Sequence, residues 1–248
     1  MVREFEVRWE GELPAPPQDV WEAITQHADG YLWPISYEPR EGGAERGLTE
    51  GGGTVTAWDP PHRFATRTRP EAERDGVNAL DYRLDALGRV TYLRYVHRAA
   101  VPADDFDRQL AACRAHTAFY LHSLGQYACH FAGRKAAYVS VEGPPESAQG
   151  GFAAVRRALG VPEDAVAGDR VRLTPEGLAP IEGVVDYATG PFLGVRGADA
   201  LYRVYGRDAW GWPVGVAHHL FAAGADAAAE ERAWGDWVAQ VLTGERVA

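Results

Sequence analysis

The chain has 248 residues, enough for one large domain or two modest ones. Its net charge is −10, and its basic residues form no cluster of the kind that binds phosphate, so the sequence predicts no nucleic-acid partner. No apolar run approaches the roughly 20 residues that span a bilayer, and the N-terminal residues lack the apolar core of a signal peptide. We therefore expect a cytoplasmic protein without membrane insertion.

The first half of the sequence has the pattern of an antiparallel sheet followed by one long helix. Residues 5–10 alternate apolar and charged side chains, which predicts a half-buried strand, and Asp19 opens a short helix. The Gly-rich stretch 39–53 predicts loops and hairpin turns. Further strands are predicted at 54–58, 63–69, 79–84 and 89–98. Apolar residues at three- and four-residue spacing over 104–131 then predict a helix about 40 Å long, which must lie along a whole sheet.

The second half repeats this order of elements. A strand at 136–141, a proline pair and a short helix at 152–159 come first, and an apolar helix at 225–242 comes last. Between them, strands are predicted at 171–173, 181–187, 192–195, 201–205 and 214–221. The repeat indicates an internal duplication, so the predicted fold is α+β, with one domain over residues 1–133 and a second, diverged domain over residues 137–248.

Three short motifs of the first half resemble a known family. Residues 16–25, Pro-Pro-Gln-Asp-Val-Trp-Glu-Ala-Ile-Thr, are similar to the opening of the helix-grip (START-like, SRPBCC) proteins. The turn Asp-Pro-Pro-His-Arg-Phe at 59–64 and the strand 91–97 resemble the branch named for homology to the heat-shock-protein ATPase activator, the AHSA-type branch. The resemblance covers residues 1–133 and implies a curved antiparallel sheet closed by a long C-terminal helix. The second half lacks these motifs, and its assignment as a second helix-grip-like module rests on element order.

The resemblance implies a cavity between sheet and helix that holds a hydrophobic or amphipathic small molecule. Because no nucleophile, metal or phosphate motif is recognisable, we expect ligand binding without catalysis, no cofactor, and an apolar small molecule as the partner. Two alternatives stay open. One is an enzyme of the cyclase or dehydratase kind that uses a cavity histidine, and the other is a protein-interaction module, stress- or chaperone-related, which forms a docking surface or a homodimer.

Aromatic and histidine side chains are the candidate lining of this cavity, since large amphipathic rings bury area and offer a polar edge. The expected ligand-binding residues are Trp33, Trp58, Tyr82, Tyr95, His97, His116 and Tyr120, with Trp210 and Trp212 in the second half.

The histidines are the candidates for chemistry. His97 shares one strand face with Tyr95, so an inward orientation would place a titratable group at a cavity end. Cys113 and His116 lie at i and i+3 of the long helix, but two side chains do not make a metal site, and we expect none. His218 or His219 facing Asp186 is a weaker candidate in the second half.

Overall fold

The computed structural model describes residues 2–69 and 77–244. The chain divides into two compact units, residues 1–135 (the first unit) and 136–248 (the second unit). Within the described residues, no helix is long and apolar enough to cross a membrane.

The first unit is a twisted antiparallel sheet with two α-helices on one face. Its strands are β1 (Val2–Leu13), β2 (Ser36–Tyr37), β3 (Ala44–Arg46), β4 (Gly53–Asp59), β5 (Arg63–Thr68), β6 (Asn78–Leu87) and β7 (Val90–Pro102). Its helices are α1 (Pro17–Gln26) and α2 (Phe106–His130), with 3₁₀ turns at Ala28–Gly30 and Ala103–Asp105. The predicted strands and the long helix are therefore present. The stretch predicted as loops and turns also contains β3, and β2 precedes it; both are too short to leave a period-two signature.

Strand order in the first unit is β1-β7-β6-β5-β4-β3-β2. The first and last strands pair along their whole length, from Val2 opposite Pro102 to Leu13 opposite Thr91. A register shift between Val55 and Ala57 bends β4. One 3₁₀ turn connects β7 to α2. Because this connection is short, α2 begins beside β7 and its partner β1, and it packs against both strands.

One face of the sheet is buried under the helices. In β6 and β7 the buried positions alternate with exposed arginines: Leu80, Tyr82, Leu84, Leu93 and Tyr95 are all under 8% exposed. Arg83 and Arg94 point to solvent. This alternation places the polar half of each strand outside and the aromatic half under the helices.

Tyr127 anchors the end of α2. Its hydroxyl donates a 2.9 Å hydrogen bond to the backbone oxygen of Arg134, and its ring lies on Gly30. A Cβ atom at Gly30 would overlap that ring, so only glycine lets the 3₁₀ turn approach the helix. At the other end, the carboxylate of Asp105 binds the side chains of Gln109 and Arg108.

The second unit repeats the topology of the first. Its strands are β8 (Ala137–Glu142), β9 (Arg170–Leu173), β10 (Ile181–Thr189), β11 (Phe192–Gly197), β12 (Ala200–Tyr205) and β13 (Gly215–Leu220). Its helices are α3 (Gly151–Ala158) and α4 (Ala227–Gly244). Strand order is β8-β13-β12-β11-β10-β9, so the first strand again pairs with the last and the others follow in reverse sequence order. The α+β fold with two tandem antiparallel sheets, each followed by a long C-terminal helix, is thus confirmed.

An ion pair is buried in the sheet of the second unit. Arg203 in β12 donates from Nη1 and Nη2 to the two carboxylate oxygens of Asp186 in β10, at 3.0 and 2.8 Å. The two side chains are 0% and 4% exposed. Asp186 lies at the register shift between Val185 and Tyr187, and a Cβ atom at Gly194 would come within 2.8 Å of both partners. The bulge and the glycine therefore make room for the pair.

The domain boundaries expected from the sequence, 1–133 and 137–248, stay a prediction that the single lysine allows to be tested. Lys135 is exposed at the division between the units. We expect an endoproteinase specific for lysine to give two fragments from the native protein, and each purified fragment to unfold cooperatively in circular dichroism. A fragment without a cooperative transition would show that its residues are not a domain.

The buried ion pair gives a second prediction. Arg203→Met should lower the free energy of unfolding by about 3–5 kcal/mol, because it leaves the Asp186 carboxylate buried without its partner. The double variant with Asp186→Leu should recover much of this loss. As a control, Arg172→Met removes an exposed pair with Glu182 and should change stability by less than about 1 kcal/mol. Urea unfolding followed by tryptophan fluorescence measures all three, and equal losses in the single and double variants would contradict the prediction.

Candidate functional site

Aromatic rings form a continuous row across the buried face of the first unit's sheet. The ring centroids of Tyr37 and Phe64 are 4.7 Å apart, those of Phe64 and Tyr82 are 6.1 Å apart, and those of Tyr82 and Tyr95 are 4.8 Å apart. Trp58 joins the row edge-on to Phe64 at 5.7 Å. Tyr95, Tyr82, Phe64 and Trp58 stand directly opposite one another on the neighbouring strands β7, β6, β5 and β4, so strand register builds this part of the row, and Tyr37 joins it from β2.

Three phenol groups within this interior bond to one another. The hydroxyls of Tyr31 and Tyr95 are both hydrogen-bonded to that of Tyr82. Burial raises the pKa of each of the three well above the ordinary value for tyrosine. The cluster therefore stays protonated at any physiological pH, and its hydroxyls can act as donors and acceptors there.

Glu45 places a carboxylate at the edge of the same interior. It is 0% exposed, and Oε1 accepts hydrogen bonds from the backbone N–H groups of Leu48 and Thr49 at 2.8 and 3.2 Å. Across residues 2–69 and 77–244, Oε2 has no hydrogen-bond partner. Glu45 is the register partner of Tyr37, and a Cβ atom at Gly53 would overlap Oε2. A buried acceptor without a partner costs about 1–3 kcal/mol, so this oxygen is a candidate ligand contact.

His97 joins the sheet to the long helix through two hydrogen bonds. Its Nε2 lies 2.8 Å from Oδ1 of Asn78, and its Nδ1 lies 3.1 Å from Sγ of Cys113 in α2. The amide nitrogen of Asn78 donates to Thr49, so its carbonyl oxygen faces the histidine. This fixes the tautomer: Nε2 carries the proton, and Nδ1 accepts from the Cys113 thiol.

Both members of the His97–Cys113 pair are neutral. Burial lowers the pKa of His97 to about 4 and raises the pKa of Cys113 to about 11. An imidazolium–thiolate pair is therefore disfavoured at rest, because the interior opposes both charges. Thr117, one turn further along α2, lies 3.9 Å from the sulfur.

The structure divides the predicted ligand-binding residues into two groups. Tyr82, Tyr95 and His97 lie together on the buried face, and Trp58 reaches them through Phe64. Trp33, Tyr120 and His116 form a second group. The ring centroid of Tyr120 lies 5.9 Å from that of Trp33 and 5.8 Å from that of His116. Trp33 donates to the backbone oxygen of Gly47, and Nδ1 of His116 donates to that of Ala112.

Sequence reasoning missed four residues of this interior, Tyr31, Tyr37, Glu45 and Asn78, and it weighed Cys113 only as a metal ligand. One signal was available for Asn78, which has the same strand parity as Tyr82 and so had to face the helix. The contact of Cys113 with His97 joins a helix to a strand and has no local signature. It replaces the i,i+3 pairing with His116 that the helix alone suggests.

In the second unit, His218 and His219 take opposite faces of β13, as their adjacency requires. The ring of His218 lies 4.3 Å from that of Trp234, and burial lowers its pKa to about 3. His219 packs on Tyr138. Both carboxylate oxygens of Asp186, the expected histidine partner, bind Arg203. Trp210 is buried against Phe192, and Trp212 lies beside it.

A half-open cavity of about 550 Å³ lies beside α4 in the second unit. Tyr202 and Trp234 line it together with small side chains such as Ala200 and Ala233, and Glu230 lies at its edge. In the described part of the chain, no group of three or more His, Cys, Asp or Glu side chains is placed to hold a metal ion.

The topology, with the sheet closed by the helix that follows its last strand, defines a helix-grip fold. Residues 14–128 match the family model described as "Activator of Hsp90 ATPase homolog 1-like protein". The family match lies wholly within the first unit, which is similar to AHSA-type members of the helix-grip superfamily.

Solved structures similar to this chain each cover about half of it. CalU16 from Micromonospora echinospora is 19% identical with a TM-score of 0.38, over 52% of this chain and 86% of that one. The Aha1 dimer from Colwellia psychrerythraea is 20% identical with a TM-score of 0.40, over 50% and 96%. No curated protein sequence matches the chain.

The neutral state of His97 predicts an acid dependence of stability. Its pKa is about 4 in the folded protein and about 6.5 when unfolded, so below pH 6.5 the unfolded state binds more protons. The contribution of His97 to the free energy of unfolding is complete above about pH 6.5. It is lost as the pH falls towards 4, and the loss amounts to up to about 3 kcal/mol. His97→Gln should remove this part of the pH dependence, as measured by urea unfolding at a series of pH values. Parallel curves for the two proteins would contradict it.

Proposed function

We propose that the first unit binds an apolar or amphipathic small molecule that carries an oxygen atom, held between the sheet and α2. Of the observations that support this proposal, the hydroxyl cluster of Tyr31, Tyr82 and Tyr95 is the one that carries it. Three hydroxyls bring three protons, and the two hydrogen bonds among them use two. One O–H is left to donate to an acceptor on a ligand.

The position of Glu45 refines the ligand class. Its unpartnered oxygen accepts a donor, whereas the tyrosine cluster offers one. A ligand hydroxyl can satisfy both, because it donates and accepts. An apolar body with a hydroxyl group therefore satisfies both groups, a carbonyl group satisfies the tyrosine cluster alone, and a pure hydrocarbon satisfies neither. Aromatic rings on the sheet, from Tyr37 to Tyr95, supply the apolar surface against which such a body packs.

An enzyme of the cyclase or dehydratase kind is the second candidate, and His97 favours it. Its Nδ1 is an unprotonated base within hydrogen-bond distance of a neighbouring group, in an interior that opposes charge. His116 is the other histidine of this hypothesis; its Nδ1 donates to a carbonyl oxygen in its own helix, so Nε2 is its basic nitrogen. The protein-interaction alternative and the homodimer stay predictions, and sedimentation of the purified protein tests the latter.

Tyr82→Phe tests the proposal with little disturbance of packing. The ring stays and the central hydroxyl is lost, so we expect the affinity for an oxygen-bearing ligand to fall about tenfold, the effect of one buried hydrogen bond. Tyr92→Phe is the matched control, since Tyr92 lies on the opposite face of β7 and should leave affinity unchanged. The ligand is found by native mass spectrometry of protein taken from cells, and affinity is measured by calorimetry.

Two outcomes would count against this function. Equal affinities in the Tyr82→Phe and Tyr92→Phe variants would remove the hydroxyl cluster from the binding site. The absence of any bound molecule, together with no thermal stabilisation by a panel of apolar alcohols and ketones, would remove the proposal itself.

A further inference from the structure

Cys113, His97 and Asn78 have the arrangement of a nucleophile, a base and a group that orients the base. The sulfur lies 3.1 Å from Nδ1 of His97, and the opposite ring nitrogen lies 2.8 Å from the carbonyl oxygen of Asn78. The same order of atoms serves cysteine nucleophiles in unrelated enzymes. The three residues come from α2, β7 and β6, so the fold rather than a sequence motif assembles them.

We propose that Cys113 is a nucleophile that forms covalent adducts with apolar α,β-unsaturated carbonyl compounds, with His97 as the base that takes its proton. This proposal rests on the proposed function, since the compound must first enter the interior between the sheet and α2.

The addition is balanced without any further reactant. As the sulfur bonds to the β-carbon of the unsaturated compound, the thiol proton moves to Nδ1 of His97 and the C=C electrons move onto the carbonyl as an enolate. The imidazolium then returns the proton to the α-carbon. The net change is addition of S–H across the double bond, with nothing oxidised, reduced or released.

The surroundings favour this reaction over acyl transfer. Phe5 packs beside His97, with ring centroids 6.3 Å apart, and Phe106 packs on Phe5, with ring centroids 6.0 Å apart. Such apolar walls disfavour charge. Conjugate addition begins and ends with neutral groups, whereas acyl transfer leaves a charged or strongly hydrated leaving group to be expelled. The hydroxyl of Tyr95, whose ring is 6.5 Å from that of His97, is a candidate donor to the enolate oxygen.

Few titratable groups of the described residues act on this pair. The sheet contributes the neutral phenol of Tyr95, and α2 contributes Arg114, whose positive charge favours the thiolate. On β1, Arg3 lies over the ring of Phe106, 3.7 Å from its centroid. Because burial moves the pKa of His97 to about 4 and that of Cys113 to about 11, both groups keep one protonation state between these values. The addition rate should therefore not depend on pH in this range.

Cys129 is a built-in control, because it lies in the same helix and is exposed. The full-length variants Cys129→Ser and Cys113→Ser each leave one thiol. Benzylideneacetone is the apolar probe, and intact-mass spectrometry follows adduct formation from about pH 6 to about pH 8. We expect a rate constant at Cys113 that is flat within about twofold over this range, with the profile measured at the exposed Cys129 as the reference.

Two variants in the Cys129→Ser background separate base catalysis from simple burial. His97→Gln should slow the reaction about 100-fold and give it the slope of an ordinary thiol. Asn78→Asp keeps the shape of the positioning residue but adds a negative charge beside the imidazole, so the lower edge of the flat range should move to higher pH. Circular dichroism confirms that each variant is folded. The flat profile expected of Cys113 is measured in Cys129→Ser alone, with His97 and Asn78 in place, so it does not depend on whether the other two variants fold.

Benzylacetone, the saturated analogue, separates this proposal from the proposed function. If benzylacetone binds reversibly and Cys113 either gives no adduct or reacts with an ordinary thiol slope, the nucleophile proposal is overturned and ligand binding stands. If neither compound binds, both proposals fail. A flat profile at Cys113 that His97→Gln abolishes supports the proposal.

Discussion

The pairing of β1 with β7 is the contact on which the first unit depends. It brings the strand that starts the chain beside the strand that ends the sheet, and the closing helix crosses both. The side chain of Leu13, at the end of β1, reaches α2 so closely that a Cβ atom at Gly125 would lie 3.3 Å from it. The same pairing places Val7 opposite His97 and so fixes the level of the sheet at which the histidine contacts α2. A shift of one residue would turn every one of these side chains to the opposite face.

Polar groups in the interior follow two different patterns. Thr91 donates to the backbone oxygen of Ala15, and Tyr127 to that of Arg134, so each stabilises a chain crossing and leaves no donor unsatisfied. Glu45 keeps an oxygen without a partner within residues 2–69 and 77–244. A purely structural interior would lose nothing by replacing that oxygen with an apolar atom. Among the described residues of the first unit, Glu45 is thus the group whose presence calls for a function.

The sequence predicted the fold class and most elements because their periods are strong. The alternation around Leu93 and the three- and four-residue spacing around Leu124 each leave one regular pattern. The short strands Ser36–Tyr37 and Ala44–Arg46 could not be found this way, since two or three residues do not define a period. Asp186 shows a second limit. It lies at a bulge, where alternation does not predict which face of the sheet a side chain takes, and strand register decides that Arg203 is its partner.

The candidate site was predicted only in part, for a related reason. Tyr82, Tyr95 and His97 were accessible because strand parity assigns them to one face. The partners that define their chemistry, Tyr31 and Cys113, lie on a turn and a helix that reach the sheet only after folding. A helix pattern read alone pairs Cys113 with its neighbours three or four residues away, and it carries no information about a strand.

The phenol cluster gives the first unit an optical property of its own. Tyrosine absorbs differently in the ultraviolet once it loses its proton, and a tyrosine in an unfolded chain does so near pH 10. Burial holds Tyr31, Tyr82 and Tyr95 in the protonated form well beyond that point. In alkaline solution these three rings therefore contribute no phenolate absorbance while the first unit is folded. Their phenolate absorbance appears when the sheet and α2 separate and the rings meet water.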